Sequence, residues 1–182
     1  MDGTKTPRIT PPVQIVLGPP GAGKGTQARK LQNTIGLVQL STGDLLRAAA
    51  IAGTKAGQEA EIVINILRDR LAEPDTCAGV ILDGFPRTTV QAKALDDLLE
   101  ETGQKIDAAI SLEVDDDAMV ARVSGRYTCV ACGEGYHDIF KQPLVKGVCD
   151  KCGGTEMKRR ADDNAETAGD RLAAYHAQTA PL

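Results

Sequence analysis

The sequence contains no tryptophan, and aromatic side chains make up only 3% of it. Proteins that bind nucleic acid often stack bases on aromatic rings, so this scarcity disfavours a nucleic-acid-binding module. The net charge of −4 also lacks the basic excess that binds nucleic acid or anionic membranes. No apolar run is long enough to span a bilayer, and Met1–Thr6 lack the apolar stretch of a signal peptide. These absences favour a cytoplasmic protein without nucleic-acid or membrane partners.

A glycine-rich segment, Gly18–Thr26, directly follows the apolar run Val13–Leu17. A buried strand, a glycine-rich turn and a helix start form the context of a phosphate-binding P-loop, in which backbone N–H groups face phosphate oxygens. Lys24 would supply a cation for the outer phosphates and Thr26 a hydroxyl near Mg²⁺. Gly25 stands where the general pattern has serine or threonine. An ordinary glycine-rich turn is the alternative, but it leaves the agreement of these features unexplained.

A second apolar run, Gly79–Leu82, ends at Asp83. A carboxylate at the carboxyl end of a strand can hold a nucleotide-bound Mg²⁺, often through water. Apolar periodicity predicts strands at 13–17, 37–40, 79–82 and 108–114. It predicts helices at 23–33, 42–52, 55–71, 88–101, 115–126 and 164–178. This alternation implies an α/β fold, a mostly parallel sheet with helices on both faces.

Four of the five cysteines form two CxxC pairs, Cys129 with Cys132 and Cys149 with Cys152. Their separation is typical of four-sulfur zinc sites, and a site filled by four thiolates is structural rather than catalytic. The alternatives are two disulfides, a redox pair or a free-standing zinc ribbon. A reducing compartment disfavours the disulfides. Cys77 lies apart, and we expect a small buried residue or a free thiol there.

Taken together, these motifs closely resemble those of adenylate kinase in its long bacterial form with a zinc-binding lid. The resemblance starts at about Val13 and runs to the last residue. Its motifs are Gly18–Thr26, Ser41–Arg47, Asp83–Thr88, Gln91, Arg122, Gly125–Arg126, the paired cysteines, Arg160–Asp163 and Arg171–Leu172.

The resemblance implies the P-loop nucleoside monophosphate kinase fold with a zinc-binding lid inserted. The domains expected from it are a disordered leader at 1–12, a core at 13–126 and 160–182, an AMP-binding segment within 41–62 and a lid at 127–159. The reaction it implies is reversible transfer of the γ-phosphoryl group from MgATP to AMP, giving two ADP, by a monomer. Such chemistry depends mostly on positioning and charge neutralisation, so His137 and His176 need no role.

The resemblance also assigns roles residue by residue. The ATP-binding residues are Gly21, Ala22, Gly23, Lys24, Gly25, Thr26, Arg122 and Arg126. The AMP-binding residues are Thr42, Arg47, Gly84, Arg87, Gln91, Arg160 and Arg171. The catalytic residues are Lys24, Arg87, Arg126, Arg160 and Arg171. Asp83 and Thr26 accompany Mg²⁺, Asp162 and Asp163 pair with basic groups, and Cys129, Cys132, Cys149 and Cys152 hold a structural Zn²⁺.

Two departures from the family stand out. The AMP-binding segment is short after Ala60, and the sequence stops at Leu182, before a further strand and helix that the family carries. We therefore expect a chain that binds MgATP but has strongly reduced activity and a low melting temperature. Three alternatives stay open: a kinase for another nucleoside monophosphate, a plain NTPase, or a low-activity nucleotide- and zinc-binding remnant.

Overall fold

The computed structural model of the protein describes residues 11–45 and 60–182. These residues group into two compact units, each described here by itself. Of the described residues, the first unit takes 11–17, 24–45, 60–111 and Leu182, and the second takes Gly18–Gly23 and Leu112–Pro181. Among the helices of the described ranges, none combines the length and the apolar character needed to cross a membrane.

The first unit is built on a four-stranded sheet. Its strands are β1 (Val13–Leu17), β2 (Val38–Ser41), β3 (Val80–Asp83) and β4 (Ile106–Ser111), in the order β2-β3-β1-β4. All three strand pairs are parallel, as the sequence predicts. Parallel strands bring their carboxyl ends to the same edge, so the residues that follow β1 and β3 share that edge.

Within 11–45 and 60–182, the helices over this sheet include α1 (Lys24–Ile35), α2 (Ala60–Leu71) and α3 (Thr89–Glu101). Helices α2 and α3 pack together, while α1 packs against β1, β2 and β3. The core beneath α2 and α3 consists of Val13, Ile15, Leu40, Val63, Ile64, Leu67, Val80, Leu82, Phe85, Leu95, Leu98 and Leu99. Val16 and Ile81 are also buried, and alternation along a strand points them to the opposite face. Helices on both faces are thus confirmed.

The second unit contains two helices and a small sheet. Helix α4 (Asp116–Ser124) packs against α5 (Ala165–Ala174), which continues as a π-helical turn, Tyr175–Thr179. Strands β5 (Arg126–Cys129), β6 (Gly135–His137) and β7 (Met157–Lys158) form an antiparallel sheet in the order β6-β5-β7. The predicted lid at 127–159 therefore holds most of this sheet.

Several helix starts follow from capping side chains. Thr88, Asp115 and Asn164 each accept hydrogen bonds from backbone N–H groups in the first turn of the following helix. Such caps satisfy amides that have no partner inside the helix. At Asp115, the first residue of the helix predicted at 115–126, Oδ1 lies 3.0 Å from the Asp117 amide nitrogen.

The structure differs from the sequence prediction at the limits of several elements. Helix α4 ends at Ser124 rather than at residue 126, because Arg126 already belongs to strand β5. Strand β4 occupies Ile106–Ser111 rather than 108–114, because its pairing with β1 begins at Ile106. The last α-helix ends at Ala174 instead of residue 178, where i→i+5 bonding replaces the α pattern. Pro12, assigned to the leader, accepts a hydrogen bond from the Val80 amide at 2.9 Å. The helix predicted at 42–52 lies mostly outside the described residues.

Candidate functional site

The loop between β1 and α1 needs glycine for two reasons. Gly18, Gly21 and Gly23 have φ angles of 136°, 81° and 89°, which side-chain-bearing residues rarely adopt. A Cβ on Gly18 would also stand 2.6 Å from the Leu112 carbonyl oxygen. A Cβ on Gly21 would stand 3.5 Å from Cβ of Arg122, so this arginine lies beside the loop. The loop thus has the compact backbone that a phosphate cradle requires.

Two cationic side chains lie beside the backbone of Gly84, just after β3. A Cβ on Gly84 would stand 3.4 Å from Nη2 of Arg87 and 3.7 Å from Cε of Lys24. Lys24 is the first residue of α1, where the helix N-terminus adds positive potential. Arg87 also donates from Nε to the Gly84 carbonyl at 2.8 Å, which fixes the orientation of its guanidinium. We call this pair of cations, Lys24 and Arg87 beside Gly84, the cationic cradle.

Asp83 ends β3 next to this cradle. Gln39 on β2 donates from Nε2 to Oδ2 of Asp83 at 2.8 Å. Burial raises the pKa of Asp83, while the Gln39 hydrogen bond and the positive charge of Lys24 act in the opposite direction. A Cβ on Gly25 would lie only 3.1 Å from Oδ2 of Asp83, which explains why glycine follows the lysine. Thr26 is exposed on α1, one residue further along.

The residues predicted for AMP lie around the same turn. Thr42 is buried, and its hydroxyl donates to the carbonyl of Gly84 at 3.2 Å. Gln91 accepts from the Arg87 amide through Oε1 at 2.8 Å. The first unit therefore brings Thr42, Gly84, Arg87 and Gln91 together. Arg47 lies outside the described residues.

The predicted arginines of the second unit pair with two neighbouring aspartates. Arg126 binds Asp163 through two hydrogen bonds, 2.8 Å from Nε and 2.6 Å from Nη2. Arg171 lies 3.1 Å from Asp162 and 3.5 Å from Asp163. The Asp163 side chain is fully buried, and a buried carboxylate needs such partners. Arg160 is half-buried beside them, and its carbonyl accepts from the Asp163 amide at 3.1 Å. The predicted pairing of both aspartates with basic groups is thus present.

The four paired cysteines converge in the second unit. Their sulfurs all lie within 4.8 Å of one another, with Cys129 and Cys152 3.6 Å apart and Cys132 and Cys149 3.5 Å apart. These distances exceed the disulfide bond length of about 2.05 Å. Four sulfurs at about 2.3 Å from a common Zn²⁺ stand about 3.8 Å apart in a tetrahedron. The donor set and its spacing therefore fit Zn²⁺, whereas the disulfide alternative does not fit.

Cys77, by contrast, is exposed in the 3₁₀ turn Pro74–Ala78. Of the two sequence expectations for this residue, the free thiol is confirmed and the buried position is wrong. The turn places its side chain toward solvent, while Thr76 is the buried residue of that segment.

The sequence prediction missed two residues that contact the site, Gln39 and Tyr136. Gln39 holds Asp83, as described above. Tyr136 donates from its hydroxyl to Sγ of Cys149 at 3.4 Å, which lowers the pKa of that thiol to about 6. His137 accepts at Nδ1 from the Ile139 amide, so Nε2 carries the proton and donates to the Ala121 carbonyl at 3.0 Å. The short strand β6, Gly135–His137, carries no alternating pattern that marks Tyr136 as buried.

Comparisons with known proteins match these features. The family model described as adenylate kinase matches residues 16–182. An adenylate kinase of Paramagnetospirillum magneticum is 54% identical over 180 residues, covering 92% of this chain and 83% of the relative. Adenylate kinases of Rhizorhabdus wittichii and Zymomonas mobilis are 54% and 53% identical over 92% of this chain, which covers 84% and 81% of their lengths.

Proposed function

The chain belongs to the adenylate kinase family, and from this premise we propose which of its residues carry the reaction. As an adenylate kinase it is a phosphotransferase that moves the γ-phosphoryl group of MgATP to AMP, giving two ADP, and catalyses the reverse reaction. The proposal concerns the binding and catalytic residues, the structural metal and the state in which the enzyme acts.

The central element of the proposal is the cationic cradle of Lys24 and Arg87 at Gly84. Lys24 binds the outer phosphates of ATP, together with the backbone N–H groups of Gly21–Thr26. Arg87 binds the AMP phosphate, with Thr42 and Gln91 toward its base and Arg47 as a second cation. The observation that carries this assignment is that Lys24 and Arg87 both lie within 4 Å of a Cβ built on Gly84. Two cations held this close suit the joining of two phosphate-bearing substrates.

Mg²⁺ comes with ATP and supplies charge neutralisation to the phosphates when it is bound. Asp83 would hold it, directly or through water, with the hydroxyl of Thr26 nearby. The position of Asp83 supports this role, because its carboxylate oxygen is the type of ligand that a hard cation prefers and it lies at the end of β3 beside Lys24 and Gln39.

The arginines of the second unit have a separate role. We propose that Arg126, Arg160 and Arg171 bind the transferred phosphoryl group and that Arg122 lies beside the donor nucleotide. The guanidinium groups of Arg126 and Arg171 are already oriented by Asp163 and Asp162. An oriented guanidinium loses less side-chain entropy when it binds phosphate.

The four-cysteine cluster would hold one structural Zn²⁺. Its small apolar core, formed by Cys129, Tyr136 and Cys149, gives this part of the chain little burial of its own. A metal bound by four thiolates would supply the missing stability, and about one zinc per chain is expected in elemental analysis. That the enzyme is a cytoplasmic monomer stays a prediction from its sequence.

The test of the phosphate cradle is steady-state kinetics of two variants with a matched control. Arg87→Lys should raise KM for AMP at least about tenfold, because lysine cannot make the two parallel hydrogen bonds of a guanidinium. KM for MgATP should change little. Lys24→Met should instead remove most turnover. Arg68→Lys is the control, since Arg68 is exposed on α2 and its guanidinium donates to the surface residues Asn65 and Glu101.

Equal losses for both nucleotides in Arg87→Lys would contradict a dedicated monophosphate site. Unchanged MgATP turnover in Lys24→Met would contradict the assignment of Lys24.

A further inference from the structure

Tyr136 occupies a position that the reaction does not explain. It lies on β6, its side chain is buried, and its hydroxyl makes two hydrogen bonds. The hydroxyl donates to Sγ of Cys149 at 3.4 Å and accepts from the Asp150 amide at 2.8 Å. Both partners belong to the second cysteine pair, so one phenol contacts a sulfur and the adjacent backbone of the same turn.

The chain path gives these two bonds their significance. Tyr136 follows the first cysteine pair within the β5–β6 hairpin, where it lies opposite Tyr127. The turn at the second pair closes on itself, with the Gly153 amide donating to the Cys149 carbonyl at 2.8 Å. Apart from the sulfurs, the Tyr136 hydroxyl thus links the hairpin of the first pair to the turn of the second.

The ring and the hydroxyl of Tyr136 have separable surroundings. The ring stacks on Tyr127 with centroids 5.7 Å apart, and Nζ of Lys141 lies 5.2 Å from its centroid. These contacts do not involve the hydroxyl and would persist in phenylalanine. Tyr127 contacts its neighbours through its ring, which stacks on Tyr136 and lies 5.2 Å from Cζ of Arg159. Tyr127→Phe therefore removes a hydroxyl from the same aromatic stack without removing a contact to the cysteines.

We infer that Tyr136 is a positioning residue for the zinc site, whose hydroxyl presets Cys149 and its turn for the metal. The inference rests on the proposed structural zinc. Groups that hydrogen-bond to a metal ligand orient that ligand. Their loss typically lowers metal affinity by about 10- to 100-fold. Because the two hydrogen bonds need no metal, they also order the Asp150 backbone in the metal-free chain.

The test compares the full-length protein with Tyr136→Phe and Tyr127→Phe. Zinc affinity is measured by competition with a chromogenic chelator of known affinity. Tyr136→Phe should bind zinc about 10-fold or more weakly than the parent, and Tyr127→Phe within about threefold of it. In metal-free protein, hydrogen exchange at the Asp150 amide should be faster in Tyr136→Phe only.

Each other outcome counts against the inference in its own way. If the parent binds no zinc, the proposed zinc site itself fails and the inference fails with it. If the parent binds zinc and Tyr136→Phe binds it equally well, only the role of the hydroxyl is overturned. Equal losses in both variants would assign the effect to ring packing. A Tyr136→Phe chain that does not fold even with zinc would make the hydroxyl a general folding determinant.

Discussion

At the scale of single residues, Gly25 is where the P-loop departs from the general pattern, and its surroundings give the reason. The position that a Cβ would take lies 3.1 Å from Asp83 and 3.6 Å from Gln39. Any side chain would press on the carboxylate proposed to hold Mg²⁺. We propose that Thr26, one residue later, supplies the hydroxyl that usually follows the lysine.

Gly25→Ala should separate stability from activity. Alanine is favoured over glycine inside a helix by about 1 kcal/mol, so the melting temperature should hold or rise. The displaced Asp83 should lower kcat and raise the Mg²⁺ concentration needed for half-maximal rate. Gln27→Ala, at an exposed position on the same helix, is the control and should leave both unchanged. Wild-type kinetics in Gly25→Ala would contradict this account of the site.

Asp83 should also lower the stability of the nucleotide-free enzyme at neutral pH. Burial raises its pKa above the ordinary value of 3.8. The Asp83 carboxyl therefore binds a proton more tightly in the folded chain than in the unfolded chain. Ionisation at pH 7 therefore costs folding free energy, and Asp83→Asn removes that cost. We expect a higher melting temperature for the variant at pH 7, with much lower turnover.

The stability difference between Asp83→Asn and the parent should shrink as the pH falls through the raised pKa of Asp83. It should vanish below 3.8, where the Asp83 carboxyl is protonated in both the folded and the unfolded chain. Thermal melts of the two proteins across pH measure it. A lower melting temperature for Asp83→Asn at pH 7 would show that the carboxylate stabilises the fold instead.

At the scale of elements, replacing glycine by alanine should affect stability differently inside a helix and just after its end. Gly169 lies inside α5 with open space around its Cβ position, and its φ is not positive. Gly103 follows α3 with equally open space but a φ of +69°. The space is the same at the two positions, so backbone conformation alone sets the sign of the effect.

Gly169→Ala should stabilise the protein by about 0.5–1 kcal/mol, because alanine loses less backbone entropy in a helix. Gly103→Ala should destabilise it by about 1–2 kcal/mol, the cost of a left-handed conformation for a residue with a Cβ. Denaturant titration of both variants measures the difference. Two changes of the same sign would contradict the assigned conformations.

Elements that depend on local signals could be predicted from the sequence, and contacts between distant segments could not. The glycine-rich loop, the cap at Asp115 and the two cysteine pairs each lie within a few residues, so spacing alone indicates them. Gln39 meets Asp83 across 44 residues, and nothing in either segment marks the other. The limits of β4 were missed because pairing with β1, rather than apolar content, sets them.

At the scale of the whole molecule, membership of the adenylate kinase family establishes the reaction. The structure then shows which residues can be changed to test their proposed roles. The parallel sheet brings the ends of β1 and β3 to one edge, where Lys24, Asp83 and Arg87 lie around Gly84. The second unit carries its own oriented arginines and the cysteine cluster. Each unit thus carries its own set of charged groups, and their proposed roles can be tested one residue at a time.

The most direct test of the central claim is the stoichiometry of nucleotides after incubation of the purified enzyme with MgATP and AMP. The account predicts two ADP formed for each AMP consumed, with AMP preferred over CMP, GMP and UMP. Formation of one ADP with inorganic phosphate, at a rate independent of AMP, would instead identify an NTPase and contradict the account.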